Sequence, residues 1–235
     1  MQRALTNYRL FLRQFRRAYH TTGAILPSGR ALSRALVRYV GDATDQPRTD
    51  QDRNDQPRRI LEVGPGTGNV TGHLIRQLRP QDQLDLVEVN DEFVAHLRDR
   101  FDHEPGFHAV AERTRVLHGP VQQVTDSGGY DCIVSGLPLN NFSVSDVESI
   151  LATVSGLVRP GGTLSFFQYI WIRGARSVCS GSAQRTRLRG VGRAIDQLLE
   201  QYEFRREAIL PNVPPAWVHH LRWPEDAEPG PSTPS

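Results

Sequence analysis

The sequence predicts an α/β fold: a Rossmann-like open sheet, mostly parallel, with helices on both faces. Three observations carry this. Apolar runs of strand length alternate with helical segments between residues 58 and 168. A glycine-rich turn, Gly64-Pro65-Gly66-Thr67-Gly68, joins the first run to a helix, and Glu88 closes the second run 20 residues after the last of those glycines. Such alternation calls for a parallel sheet covered on both faces. Ligands of these sheets bind beyond the carboxyl ends of the strands.

From Met1 to Gly41 the chain carries eight arginines and no acidic residue. Leu5, Tyr8, Leu12, Phe15 and Tyr19 recur at spacings of three and four, with Phe11 beside them, so they form one apolar helical face. Arg9, Arg13, Arg16 and Arg17 flank it. A basic amphipathic helix with aromatic residues can lie in an anionic membrane interface, and the same stripe can instead dock on the protein's own core. Transit peptides are also Arg-rich and acid-poor, but serine is scarce here. Ser28 is placed to cap a second helix through Val40, with Ala31, Leu32, Ala35, Leu36 and Tyr39 as its apolar residues. The expected organisation is a helical arm over 1–40, a polar linker over 41–57, a Rossmann-like domain over 58–223, and a Pro-, Ser- and acid-rich disordered tail over 224–235.

Within the domain, Ile60, Leu61 and Val63 make the first strand. Val70, Leu74, Ile75 and Leu78 mark a helix that stops before Pro80. Leu84 to Val89 is the second strand, and Asn90-Asp91-Glu92 opens a helix to Arg100 with Phe93, Val94 and Leu97 inward. Arg113 to Leu117 and Tyr130 to Ser135 are the third and fourth strands. Val144 to Leu157 is a helix, and Pro160-Gly161-Gly162 turns into a fifth strand, Thr163 to Gln168. Residues 172–200 form an Arg-rich insertion with Leu188, Val191, Ile195, Leu198 and Leu199 at helical spacing, read as a lid over the site or a solvated extra helix. His219 and His220 are adjacent on a strand, face opposite sides and are read as structural.

Composition narrows the classes. No run approaches the roughly 20 apolar residues of a membrane span. The two cysteines, Cys132 and Cys179, lack metal-ligand spacing, so free thiols in a reducing compartment and no metal are expected. A cytoplasmic, peripherally membrane-associated monomer is the expected form.

The candidate site follows from the turn. Gly64, Gly66 and Gly68 keep it free of β-carbons, so a ligand can reach the backbone and the first amides of the next helix. Glu88, followed by Val89 and Asn90, can accept hydrogen bonds from both ribose hydroxyls of an adenosine-containing ligand. Glu62, just before the turn, can orient it or meet a ligand ammonium. The spacing Glu-x-Gly-x-Gly-x-Gly resembles the first motif of S-adenosylmethionine-dependent methyltransferases.

The resemblance then becomes specific. Glu62 to Gly68, the strand end Val87-Glu88-Val89-Asn90, the turn Ser135-Gly136-Leu137-Pro138-Leu139-Asn140-Asn141-Phe142, and Arg159-Pro160-Gly161-Gly162 together resemble bacterial phospholipid N-methyltransferases. Thr22-Gly23-Ala24-Ile25-Leu26-Pro27-Ser28 and Asn212-Val213-Pro214-Pro215-Ala216-Trp217-Val218 are similar to that family's leading segment and closing strand. The resemblance implies a class I, seven-stranded methyltransferase with S-adenosyl-L-methionine as cofactor. It implies an aminolipid substrate at an anionic membrane surface, phosphatidylethanolamine methylated toward phosphatidylcholine, and no nucleic acid. Ser135 and Leu137 would join the cofactor site. Asn140 and Tyr169 would hold the amine, although a core role for Tyr169 is an equal reading. Gly23 and Ser28 would border the lipid, with Arg173 and Arg176 on its phosphodiester.

One departure concerns adenine. Where many methyltransferases carry an acid after the third strand, this chain has Gly119-Pro120-Val121, leaving adenine to backbone groups and Val121. Ornithine lipid is an alternative acceptor, since it also offers a primary amine. RNA adenine dimethyltransferases share the glycine motif but carry Asn where this chain has Gly136 and an aromatic where it has Leu139. A non-catalytic lipid-surface module is the remaining alternative.

Overall fold

The computed structural model describes residues 29–41, 57–125, 128–170, 182–212 and 214–226. The strands are β1 (Arg59–Val63), β2 (Gln83–Glu88), β3 (Thr114–His118), β4 (Tyr130–Ser135), β5 (Val158–Tyr169), β6 (Glu203–Ile209) and β7 (Ala216–Arg222). They form one seven-stranded sheet in the order β3-β2-β1-β4-β5-β7-β6. The first five are mutually parallel, and β7 runs antiparallel to both β5 and β6. The helices are α1 (Arg30–Leu36), α2 (Asn69–Leu74), α3 (Asp91–His103), α4 (Pro105–His108), α5 (Val144–Leu157) and α6 (Ser182–Tyr202). Among the described residues no helix is long and apolar enough to cross a membrane.

Strand periodicity divides the core into two layers. Ile60 joins Leu36, Val70, Leu74, Leu86 and Leu97 on the face covered by α1, α2 and α3. Its neighbour Leu61 joins Ile133, Val147, Ile150, Val191 and Ile195 on the face covered by α5 and α6. β4 is buried along its whole length, as a central parallel strand flanked by β1 and β5 must be.

Two elements follow the sequence expectation to the residue: β4, and α5 from Val144 to Leu157. Ser143 starts α5 by accepting a hydrogen bond from the Asp146 amide at 3.1 Å. Other expectations are corrected. The second helix of the arm begins after Gly29 rather than Ser28, has no side-chain cap and ends at Leu36. The Gly29 amide is instead held by Asn212 Oδ1 at 3.2 Å. Leu32, Ala35, Leu36 and Tyr39 are buried as expected, but Ala31 is exposed. The turn expected at Pro160–Gly162 is a bulge inside a longer strand. Tyr130 pairs with Val158 and Cys132 with Thr163, so the intervening residues of β5 loop out opposite Asp131.

Over its described part the insertion is not a solvated addition. α6 packs on α5, and its Val191 and Ile195 are fully buried in the core. His219 and His220 do face opposite ways. His219 Nδ1 meets Glu203 Oε1 at 2.5 Å and its ring stacks on Phe166, whereas His220 Nδ1 lies 2.8 Å from Ser165 Oγ.

Candidate active site

The ends of β1, β2, β3 and β4 converge on the glycine turn. After Val63 the chain reverses through three glycines with positive φ, Gly64 at 71°, Gly66 at 57° and Gly68 at 81°. The Gly64 amide donates to Val87 O at 3.0 Å and the Gly68 amide to Pro65 O at 2.9 Å. At Gly64 conformation and space act together, because a β-carbon would lie 2.4 Å from Leu137 Cδ2. Over Gly66 a β-carbon would meet nothing within 4 Å, so that part of the turn faces open space. Thr67 Oγ1 accepts from Asn69 Nδ2 at 2.9 Å.

Glu88, at the end of β2, is 5% exposed and organises the turn from below. Its Oε2 accepts from the Gly66 amide at 3.1 Å, and its Oε1 accepts from the amides of Val89 and Asn90 at 2.8 and 2.9 Å. Burial pushes this carboxyl above its ordinary value, against the opposing pull of those three amides and of His118. Oε2, with one acceptor direction used, is the oxygen able to take a ligand hydroxyl. The Asn90 side chain caps α3, accepting from the amides of Glu92 and Phe93 at 2.9 and 3.2 Å, so Asn90 contributes through its backbone.

Glu62 ends up fully buried beneath the turn, with Oε2 accepting from Thr71 Oγ1 at 2.7 Å. The Gly119 amide donates to Glu88 O at 2.9 Å, which draws the end of β3 to the same place. Val121 is buried in the adjacent core, and a β-carbon on Gly119 would sit 2.8 Å from Gln123 Oε1. Gln123 is thus a polar group on the expected adenine side that sequence reading missed.

The turn after β4 closes the site. The Gly136 amide donates to Val63 O at 2.8 Å and the Leu137 amide lies 3.4 Å from the buried Ser135 Oγ, while Leu137 packs on Gly64. Asn140 is buried in a 3₁₀ turn over Leu139–Asn141. Tyr169 is the last residue of β5, half-buried, with its ring edge-on to Phe167 at 5.1 Å. Burial pushes the Tyr169 hydroxyl above the usual phenol value. Gly23, Ser28, Arg173, Arg176 and the arm residues Tyr8, Arg9, Phe11, Leu12, Arg13, Phe15, Arg16, Arg17 and Tyr19 lie outside the described residues.

Two arginines that sequence reading missed hold the loops. Arg100 Nη1 donates to Thr67 O at 2.8 Å and Gly68 O at 3.1 Å, with its guanidinium 3.8 Å over the Phe107 ring. Arg187 Nη1 donates to the carbonyls of Asn140 at 2.9 Å and Phe142 at 2.5 Å, tying the β4 turn to α6. Their only sequence signals were Glu104, four residues after Arg100, and a place on an Arg-rich helix.

Together these residues fit an adenosine ligand with an amino-acid end. The turn leaves open space at Gly66, Glu88 retains an acceptor, and Glu62 Oε1 is buried without a hydrogen-bond partner among the described residues. Comparison with known proteins agrees. Residues 61–164 match the family model described as a methyltransferase domain. Ornithine lipid N-methyltransferase from Singulisphaera acidiphila is 26% identical over 161 residues, 68% of this chain and 77% of that one. Ribosomal RNA small subunit methyltransferase A from a Synechococcus species is 39% identical over 110 residues, 47% of this chain but 35% of that protein. The structure of the O-methyltransferase TomG from Streptomyces achromogenes, in complex with SAM, superposes with a TM-score of 0.57 at 18% identity, covering 94% of this chain and 89% of the other. The chain has the Rossmann-like class I methyltransferase fold, with a methyltransferase-domain match over residues 61–164 and site residues that fit S-adenosylmethionine.

Proposed function

We propose that the protein methylates the amine head group of a membrane aminolipid. The observation that carries this reading is the turn after β4. A β-carbon at Gly136 would lie 2.7 Å from Gly64 O, a backbone atom with little freedom to move. An asparagine there, the side chain that holds the base amine in RNA adenine dimethyltransferases, does not fit this loop. On this reading Asn140, backbone carbonyls of the turn and Tyr169 form the mouth, suited to a small flexible amine. The relative that acts on ornithine lipid aligns with two thirds of the chain and favours that acceptor. The motifs at 22–28 and 135–142 favour phosphatidylethanolamine as the second acceptor to test.

When bound, the cofactor supplies an activated methyl group. The chain's part is to deliver a neutral amine in line with it. An alkylammonium titrates near 10, as lysine does, and burial at the loop mouth favours its neutral form. Because burial raises Tyr169, its hydroxyl stays protonated at neutral pH. Tyr169 therefore orients the amine, or faces the methylated ammonium with its ring, rather than taking a proton. Catalysis is then mostly alignment of two reactants. The arm is proposed to hold the enzyme on an anionic surface, with Arg173 and Arg176 on a phosphodiester where the head group has one.

The test is transfer from radiolabelled S-adenosylmethionine to ornithine lipid, phosphatidylethanolamine and a structured RNA. Label in an aminolipid is expected. Label in RNA with none in either lipid would overturn the proposal.

A further inference from the structure

Glu62 is the most confined acid of the site. It is 0% exposed and lies on β1 opposite two apolar residues, Leu86 of β2 and Val134 of β4. From α2 it accepts the Thr71 hydroxyl at 2.7 Å, and the Thr71 backbone adds a weaker pull on its charge. Its other oxygen, Oε1, is equally buried and meets no donor among the described residues. Glu88 of β2 is the charged group that acts on it, and it too is acidic. An ionised carboxylate so placed would cost several kcal/mol, which the group avoids by keeping its proton. Burial first, then the field of Glu88, hold Glu62 at about 8 against the pull of Thr71. A neutral acid here makes sense only until a cation arrives.

We infer that Glu62 is protonated in the ligand-free protein and ionises when the cofactor's ammonium reaches it, so that cofactor binding expels one proton. The O–H bond of the carboxyl breaks, the electron pair stays on the Glu62 oxygen, and the proton passes to buffer. The ammonium then supplies the partner that Oε1 lacks. Glu88 is the other acid of the site, but its oxygens already accept three backbone amides, so it needs no proton to be satisfied. The inference depends on the cofactor and not on which amine accepts the methyl group, so failure of the lipid assignment leaves it standing.

The consequence is a cofactor affinity that rises with pH. Below about pH 8 each unit of pH should tighten binding by up to about tenfold, until the cofactor's own amine begins to titrate near 8. The experiment is calorimetric titration at pH 6.5 in buffers of different ionisation heat. S-adenosylhomocysteine, which carries the ammonium, should release close to one proton. Methylthioadenosine, which lacks the amino-acid end, should release none, and neither should S-adenosylhomocysteine binding to Glu62→Gln. Because that variant could fail to fold, infrared difference spectra of the wild type give a second readout: a protonated carboxyl band should disappear on binding S-adenosylhomocysteine. Binding without proton release, equal release with methylthioadenosine, or an unchanged carboxyl band would each overturn the inference.

Discussion

Glu88→Gln tests whether one carboxylate both shapes the glycine turn and holds the cofactor. In the wild type three backbone amides point at its two oxygens, at 2.8 to 3.1 Å. A glutamine oxygen can keep the Val89 and Asn90 amides, but its NH₂ then faces the Gly66 amide, donor against donor. Turning the amide over frees Gly66 and opposes the other two instead. Either way at least one donor in a site that is 5% exposed loses its acceptor, at a cost of about 1–3 kcal/mol. The ligand hydroxyl assigned to Oε2 also loses a charged acceptor, worth roughly 1.5–3 kcal/mol. The second loss alone predicts weaker binding of S-adenosylhomocysteine by about 10- to 150-fold. Calorimetry measures it directly, with thermal unfolding reporting the strain in the turn. A folded Glu88→Gln protein whose affinity falls less than threefold would refute the role assigned to Glu88.

Two further predictions concern stability. Asp82, 0% exposed at the amino end of β2, accepts from Arg58 Nε at 3.1 Å, from Arg58 Nη2 at 2.5 Å and from the Arg79 amide at 2.8 Å. Burial works against its charge, but Arg58 and the amides outweigh that and hold it below its ordinary value. Asp82→Ala leaves a largely buried guanidinium with the carbonyls of Val40 and Gln77 but without its carboxylate, and should cost about 3 kcal/mol in urea unfolding, with cofactor affinity unchanged because the cluster lies at the opposite end of the strands. A loss under about 1 kcal/mol would contradict this. Two groups with large shifts, Glu62 and His220, dominate the pH dependence, and Glu88, also raised by burial, acts in the same direction as Glu62. Glu62, raised from 4.5 to about 8, binds a proton in the folded state that the unfolded chain has released, so stability falls as pH rises through that range. His220, lowered from 6.5 to about 4 by burial, does the reverse, so its contribution is lost as pH falls below 6.5. The two offset each other below pH 6.5. Between 6.5 and 8 the ligand-free protein should lose stability as pH rises, by at most about one proton's linkage per pH unit. Urea midpoints at both ends check this, and Glu62→Gln should flatten the slope.

Elements were legible where local signals agreed. Val144 to Leu157 has a helical apolar period and a serine cap, and Tyr130 to Ser135 is a continuous strand-length run, so both were found to the residue. β6 carried no such signal. As the sheet edge it carries the charged, exposed or half-buried residues Glu203, Arg205, Arg206 and Glu207, and only pairing with β7 makes it a strand. α6 was visible as a helix, but its Arg-rich composition hid the fact that Val191 and Ile195 complete the core against α5. The loop-holding arginines were illegible for another reason: Arg100 acts on a carbonyl 33 positions away and Arg187 on one 47 away. No window of sequence joins such pairs.

By itself the sequence determined the order of strands and helices, the glycine turn, and the acids at positions 62 and 88. Each is a local matter of periodicity, backbone freedom or residue chemistry at a strand end. The tertiary structure alone decided what those acids do. Glu88 and Glu62 stand at or next to the ends of neighbouring strands and look equivalent as text. Parallel pairing turns three backbone amides onto one and, among the described residues, leaves the other held by Thr71 with one oxygen unpartnered. Solvent access and donor count, set by the strands and helix packed around each, separate an anchor for the turn from an acid awaiting a cation.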